Sequence, residues 1–255
     1  MTEAPSLKAI LSAALMLLTS ACASTAHNGT DVSDPLEPMN RATFAFNRAI
    51  DRAVIDPVVH AYTKTVPKAP RQGISNVMRN LREPWVFVND ILQFKFKKAG
   101  QTLGRFVLNS SFGLAGLLKV SDDVGIPYQS EDLGQTLATW GVGDGPYLVL
   151  PFLGPSNLRD TTGLVGYFLY DPTGNALEDE GGKALSYTRT GIDFFDARVR
   201  YDSALDGLYK EDDPYVVARS VYQQNRRFEI HDGNPPAREQ DLFDDLEDAE
   251  GETPN

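Results

Sequence analysis

An all-α body is what this sequence predicts, and three observations predict it. Apolar residues recur at helical spacing through most of the chain, four Asp-Pro pairs stand where helices can open, and strand signals are weak throughout. Asp34-Pro35, Asp56-Pro57, Asp171-Pro172 and Asp213-Pro214 each join a residue suited to the N-cap with one suited to the first helical position. YLVLPFL (147–153) alone has a strand's length, and Pro151 confines it to a sheet edge.

The elements follow in order. Ala9–Leu18 is a short apolar run behind Lys8, and with residues 1–21 it forms a leader too short to be a comfortable membrane span. The leader ends Thr19-Ser20-Ala21-Cys22, and Cys22 is the only cysteine in the chain, so it makes no internal disulfide. Its placement resembles a bacterial lipobox, with Thr19 where leucine is usual, which makes Cys22 the lipidation site and residues 22–33 a flexible tether. An ordinary signal peptide cut near Ala23 is the alternative. Ala23, rather than aspartate, after the cysteine resembles lipoproteins sorted to the outer membrane.

The first helix is expected over Arg41–Ile55, with Phe46, Ile50 and Val54 on one stripe and Arg41, Arg48 and Arg52 opposite. Such a helix fits a soluble core or a membrane interface equally, and the lipid anchor favours the interface, with Phe46, Ile50 and Val54 contacting lipid. Pro57 is expected to interrupt it before Val58–Val66 continues. Arg71–Leu81 and Pro84–Phe96 read as two further helices, and Ala99–Leu118 as another ending near Gly113 and Gly116. Asn157–Tyr170 is mixed, with Gly163 and Gly166 allowing close approach. Ala184–Tyr209 is the longest helical candidate, with Arg189/Asp193 and Asp196/Arg200 spaced as ion pairs; Pro214–Phe228 is the last helix.

Leu133–Leu158 carries one charge, Asp144, yet Gly141, Gly143, Gly145, Pro146, Pro151, Gly154 and Pro155 deny it a single helix. It is either a core loop of a soluble domain or irregular apolar backbone at membrane depth, where protein has to bury it or water to line it.

Composition excludes some functions. The 255 residues are 42% hydrophobic and 23% charged, enough for a folded core, and the net charge of −11 leaves no basic surplus for a nucleic-acid partner. Much of the acidity lies in DLFDDLEDAEGE, so residues 232–255 read as a disordered tail behind a body spanning 34–231. His27, His60 and His231 stand far apart and form no zinc motif. There is no G-x-S-x-G elbow, and Ser110-Ser111 read as helix-end serines. GVGDG (141–145) lacks the following GK[ST] of a phosphate loop, while Asp122-Asp123 and Glu131-Asp132 read as turns and caps. No catalytic residue, metal site or cofactor is expected.

Several blocks carry a resemblance. DPLEPMN (34–40) with Phe44-Ala-Phe46-Asn47, then Asn89-Asp90 to Gln93, Arg105-Phe106 and Asn109-Ser110, open the series. A central block follows: Glu131-Asp132, Gly134-Gln135-Thr136, Trp140-Gly141, Gly145-Pro146-Tyr147, Leu150-Pro151, Gly154-Pro155-Ser156 and Arg159-Asp160. Asp213-Pro214-Tyr215, Arg219 and Tyr222 close it. Over about residues 34–230 this resembles the MlaA/VacJ family of outer-membrane lipoproteins.

The resemblance implies a single helical ring-like domain lying in the inner leaflet of the outer membrane around an amphipathic central channel. It implies retrograde phospholipid transport that maintains lipid asymmetry, with phospholipid as cargo, a soluble periplasmic carrier of the MlaC kind as recipient, and a trimeric porin as companion. By analogy of position Lys183 and Arg198 are the candidates for the channel wall, meeting phosphate as charged donors, with a salt-bridged surface residue as the equal alternative for each; on the channel reading, neutralising Arg198 is expected to lower transfer and spare membrane insertion. A structural lipoprotein that scaffolds an envelope complex, and a lipid hydrolase, are the competing readings.

Overall fold

The computed structural model describes residues 34–234. The order is α1 (Glu37–Ile50), a π-helical turn (Asp51–Ile55), α2 (Asp56–Thr65), α3 (Lys68–Leu92), α4 (Phe96–Ser111), α5 (Val120–Asp123), α6 (Leu133–Thr139), β1 (Tyr147–Leu150), β2 (Gly154–Asn157), α7 (Leu158–Tyr170), α8 (Pro172–Arg200), α9 (Asp202–Leu208) and α10 (Pro214–Ile230). The helical class holds, with one antiparallel hairpin added. Among the described residues no helix is long and apolar enough to cross a membrane. Cys22, the leader, the tether and the tail beyond Asn234 lie outside the described residues.

Two expected proline breaks do not occur. α1 runs through the π turn into α2, so Pro57 sits in the first turn of α2. The Asp56 N–H reaches back to the Asp51 carbonyl, and that wider turn relieves the clash a proline ring makes with the carbonyl four residues behind it. Pro84 lies inside α3, which is one helix where two were expected. An internal proline costs about 3 kcal/mol in isolation, and tertiary packing offsets it here: Glu83, Trp85 and Val86, around the proline, are buried, and α3 lies along α4.

Two of the four Asp-Pro pairs cap as the sequence suggests. Asp171 accepts from the N–H groups of Thr173 and Gly174 at 3.2 and 3.0 Å, and Asp213 from that of Val216 at 3.3 Å. Asp34 instead sends its carboxylate to Asn40, Tyr215 and Arg219, and Asp56 is already helical.

β1 is flanked on its second edge by a helix. Asn40 donates to Tyr147 O and accepts from Val149 N, both at 2.9 Å; one helical face further on, Asn47 donates to Leu150 O at 2.9 Å and accepts from Phe152 N at 2.8 Å. Two asparagines seven apart on α1 thus do what a third strand would do, satisfying backbone groups left open by a two-stranded sheet. Tyr147 and Val149 pack on Tyr215 of α10, with Phe44 and Tyr222 against them.

Close glycine contacts fix the rest. A Cβ on Gly163 of α7 would stand 2.5 Å from Gly134 N of α6, so the two helices cross backbone to backbone, as the glycine spacing suggested. Gly182 (φ 71°) breaks α8 within its span, and α9 carries the chain on to Leu208, where one long helix over 184–209 was expected. Asp196 and Arg200 pair at 2.9 Å as spaced. Arg189 and Asp193 do not pair with each other: Arg189 turns to Asp171, the N-cap of α8, and Asp193 to Arg82 of α3 at 2.9 Å.

Candidate functional site

α4 shows how the molecule is built. One face carries Ala99, Thr102, Arg105 and Asn109, all buried, and the opposite face carries Phe96, Leu103 and Val107, all exposed. α3 repeats the pattern, with Asn80, Glu83 and Asp90 inside and Ile74, Val88 and Ile91 outside. Among the described residues the buried set is mostly amides, carboxylates and guanidiniums, while large apolar side chains crowd the surface. Water favours the reverse arrangement. Exposed apolar area on this scale marks a surface that meets lipid or another protein.

Hydrogen bonds run the length of the polar interior. Arg105 grips Glu83 with two bonds of 2.8 and 2.6 Å, both side chains being 2% exposed, and donates to Pro127 O at 2.8 Å. Thr102 donates to Asp90 at 2.7 Å, and Asn109 holds Ser121 by two bonds of 3.0 Å. Gln93 and Lys98 reach the buried Glu131 at 2.9 and 2.8 Å, while Thr136 donates to Asn89 at 2.8 Å. Arg226 of α10 joins Asp132 and Asp160 with bonds between 2.7 and 3.0 Å, tying α6, α7 and α10 at one point. Burial pushes the Asp132 carboxyl up, but the bonds from Arg226 and Gln135 outweigh that and hold it below the usual carboxylate range. Asp34 does the same work for α1 and α10 through Tyr215 and Arg219.

The blocks that carried the resemblance are these residues. Asp34, Asn40, Asn47, Asn89, Gln93, Arg105, Asn109, Gln135, Thr136, Asp160, Tyr215, Arg219 and Tyr222 all make bonds between elements or within caps. They are the frame.

The expected site residues separate. Phe46 and Val54 are 46% and 56% exposed and Ile50 is half-buried; Phe46 packs edge-on to exposed Phe152. The arginines opposite find partners at the surface, Arg41 on Glu37 and Asp213, Arg48 and Arg52 on Tyr209. Lys183 is 73% exposed, with Glu178 3.9 Å away. Arg198 differs from the expected phosphate donor: it is 9% exposed and held by Asp51 at 2.7 Å, Asp56 at 3.0 Å and Asp202 at 2.7 Å. Asp202 stands four residues on, at a spacing the sequence shows, but Asp51 and Asp56 come from the π turn and α2, which spacing does not reveal. Lys183 and Arg198 therefore lie in different surroundings, one open and one enclosed.

The central stretch divides between its two readings. Tyr147 and Val149 are core, whereas Trp140, Val142, Phe152 and Leu153 are exposed, and the lone Asp144 is neutralised by Arg159. Of the groups considered for chemistry, Ser110 accepts from Asn80 at 2.9 Å and Asp132 caps α6 at 2.9 Å through Gln135 N. Glu131 is buried rather than solvated. Asp56, His60 and Asp202 approach each other closely enough to ligate a cation, and Arg198 already supplies the positive charge there.

Comparison with known proteins agrees with this geometry. The MlaA lipoprotein family profile matches residues 32–229. The intermembrane phospholipid transport system lipoprotein MlaA of Escherichia coli K12 is 34% identical over 253 residues, 94% of this chain and 98% of its own. Its counterpart in Haemophilus influenzae is 31% identical over 84% of this chain and 86% of its own. A solved chain from work on the structural basis for maintenance of bacterial outer membrane lipid asymmetry superposes with a TM-score of 0.69 at 32% identity, covering 78% of this chain and all of that one. An apolar exterior around a hydrogen-bonded polar interior, on a fold and sequence shared with those proteins, places this chain in the MlaA lipoprotein family.

Proposed function

We propose that this chain is an outer-membrane lipoprotein that withdraws mislocalised phospholipid from the outer leaflet and passes it to a soluble periplasmic carrier. The observation that supports this best is the reversed amphipathicity of α3 and α4: the outer faces suit hydrocarbon, and the inner faces hold the body together by polar bonds that need no water to drive them. No helix among the described residues spans a bilayer, so the body lies in one leaflet, anchored by acyl chains on Cys22, with Phe46, Ile50 and Val54 against lipid. A ring around a central channel belongs to the same proposal, with exposed Lys183 as a headgroup contact. Arg198, committed to three carboxylates, serves that path by holding the π turn on α8. An MlaC-like carrier and a trimeric porin are the partners this reading calls for.

The test is deletion and restoration. Deleting the chain from its own host raises surface-exposed phospholipid, and the parent sequence restores it. Unchanged surface phospholipid would leave a scaffold, and release of free fatty acid by the purified chain would make it a hydrolase. Embedding is checked separately: the unacylated chain floats with vesicles and needs detergent in solution, and a chain fully soluble without detergent refutes it.

A further inference from the structure

A groove of about 380 Å³ lies between α1 and the start of α10, lined by Arg41, Phe44, Arg48, Arg52, Asp213 and Tyr215 among others. Its size is that of a small-ligand site. The three arginines line it from one side, at positions that share a helix face. Their charges are not equivalent. Arg41 is spent on Glu37 at 2.7 Å and Asp213 at 2.9 Å. Arg48 and Arg52 reach no carboxylate among the described residues; each lies over the Tyr209 ring at 5.3 Å and donates one N–H to its carbonyl, at 3.1 and 3.3 Å. Two guanidiniums over one aromatic ring, without a carboxylate partner among the described residues, form a fork of charged donors for a tetrahedral oxyanion.

We propose that this groove is a phosphate site, with Arg48 and Arg52 as its donors and the headgroup diester of a glycerophospholipid as its source. Phe44, Ala45 and Ala49 give the wall beside the fork an apolar character that suits the glycerol and the first acyl carbons. Depth agrees: Phe46 and Val54 lie on the opposite face, so with those in hydrocarbon the arginines stand about one helix diameter, ~10 Å, toward the headgroups. Only the choice of a lipid as source rests on the transport reading; the anion chemistry does not.

The experiment is calorimetric titration of the full chain in non-ionic detergent with dihexanoylphosphatidylglycerol and, separately, with inorganic phosphate. The parent binds the lipid diester, and Arg48→Gln with Arg52→Gln weakens it about tenfold or more, the loss of charged donors to one phosphate. Lys97→Gln on α4, which removes one charge from an exposed residue and so matches Arg52→Gln alone, leaves binding as it was. Arg52→Gln alone, at an exposed position, replaces the double variant if that one melts early. Arginine-dependent binding of inorganic phosphate, with none of the diester, keeps the phosphate site and overturns its lipid source. Equal binding by parent and variants overturns the proposal. A chain that binds in this way yet leaves surface phospholipid unchanged on deletion refutes transport and spares the groove.

Discussion

The corner where β1, α1 and α10 meet and the corner where α3 meets α4 are built on opposite principles. The first has an ordinary centre, Tyr147 and Val149 on Tyr215, with ring centroids 6.2 Å apart for the two tyrosines. The second has Glu83 and Arg105 at its centre and leucine, valine and phenylalanine on its surface. Burying apolar area is driven by water, so the first corner holds together in any aqueous setting. Where the outside is hydrocarbon that drive vanishes, and directed polar bonds have to hold the helices instead. The difference separates a corner that apolar burial can hold from one that directed polar bonds hold.

That contrast can be broken, most strongly at Glu83. Glu83→Ala strands Arg105 in the interior and is expected to cost about 3–5 kcal/mol in detergent-solubilised unfolding, while replacing both residues by apolar ones of similar volume costs far less. Asn40→Ala removes both of its bonds to β1 and the one to Asp34, with an expected loss of about 1–3 kcal/mol per buried group left unsatisfied and a hairpin more open to hydrogen exchange. Gly163→Ala pushes α7 off α6 at the backbone contact and should lower stability by about 1–3 kcal/mol.

Acid sharpens the comparison further. Asp132 has a lowered folded pKa, so its contribution is present above the unfolded carboxylate value, about 4, and is lost as pH falls through the lower folded value. Stability measured against pH should fall in that window, and Asp132→Asn should flatten the slope. The smallest effect is expected at Val107→Gln on the outer face of α4: about 0.5 kcal/mol or less on unfolding in detergent, with a clear loss of vesicle flotation.

The helices themselves were legible. Trp85, Val88, Ile91 and Leu92 keep helical spacing, and α3 is a helix there. Spacing did not say which face turns inward: Trp85 is buried and Val88 and Ile91 are exposed. Pro57 and Pro84 read as breaks because local rules price a missing N–H without the packing around it. Asn40 and Asn47 stood in the recognised blocks, yet their role at β1 could not be read, since their partners lie more than a hundred residues away. Arg198 has Asp202 four residues on, but the arrival of Asp51 and Asp56, which encloses it and leaves Lys183 open, is not in its neighbourhood along the chain.

The sequence by itself determined the helical periods and the acid and amide side chains that recur through the blocks. Those are properties of neighbours along the chain or of composition, which a period of 3.6 residues exposes directly. Only the tertiary structure decided that the polar stripes face one another and the apolar stripes face out. Burial is set by what each stripe meets in space, and a stripe's period is the same whether its apolar side meets a core or a lipid.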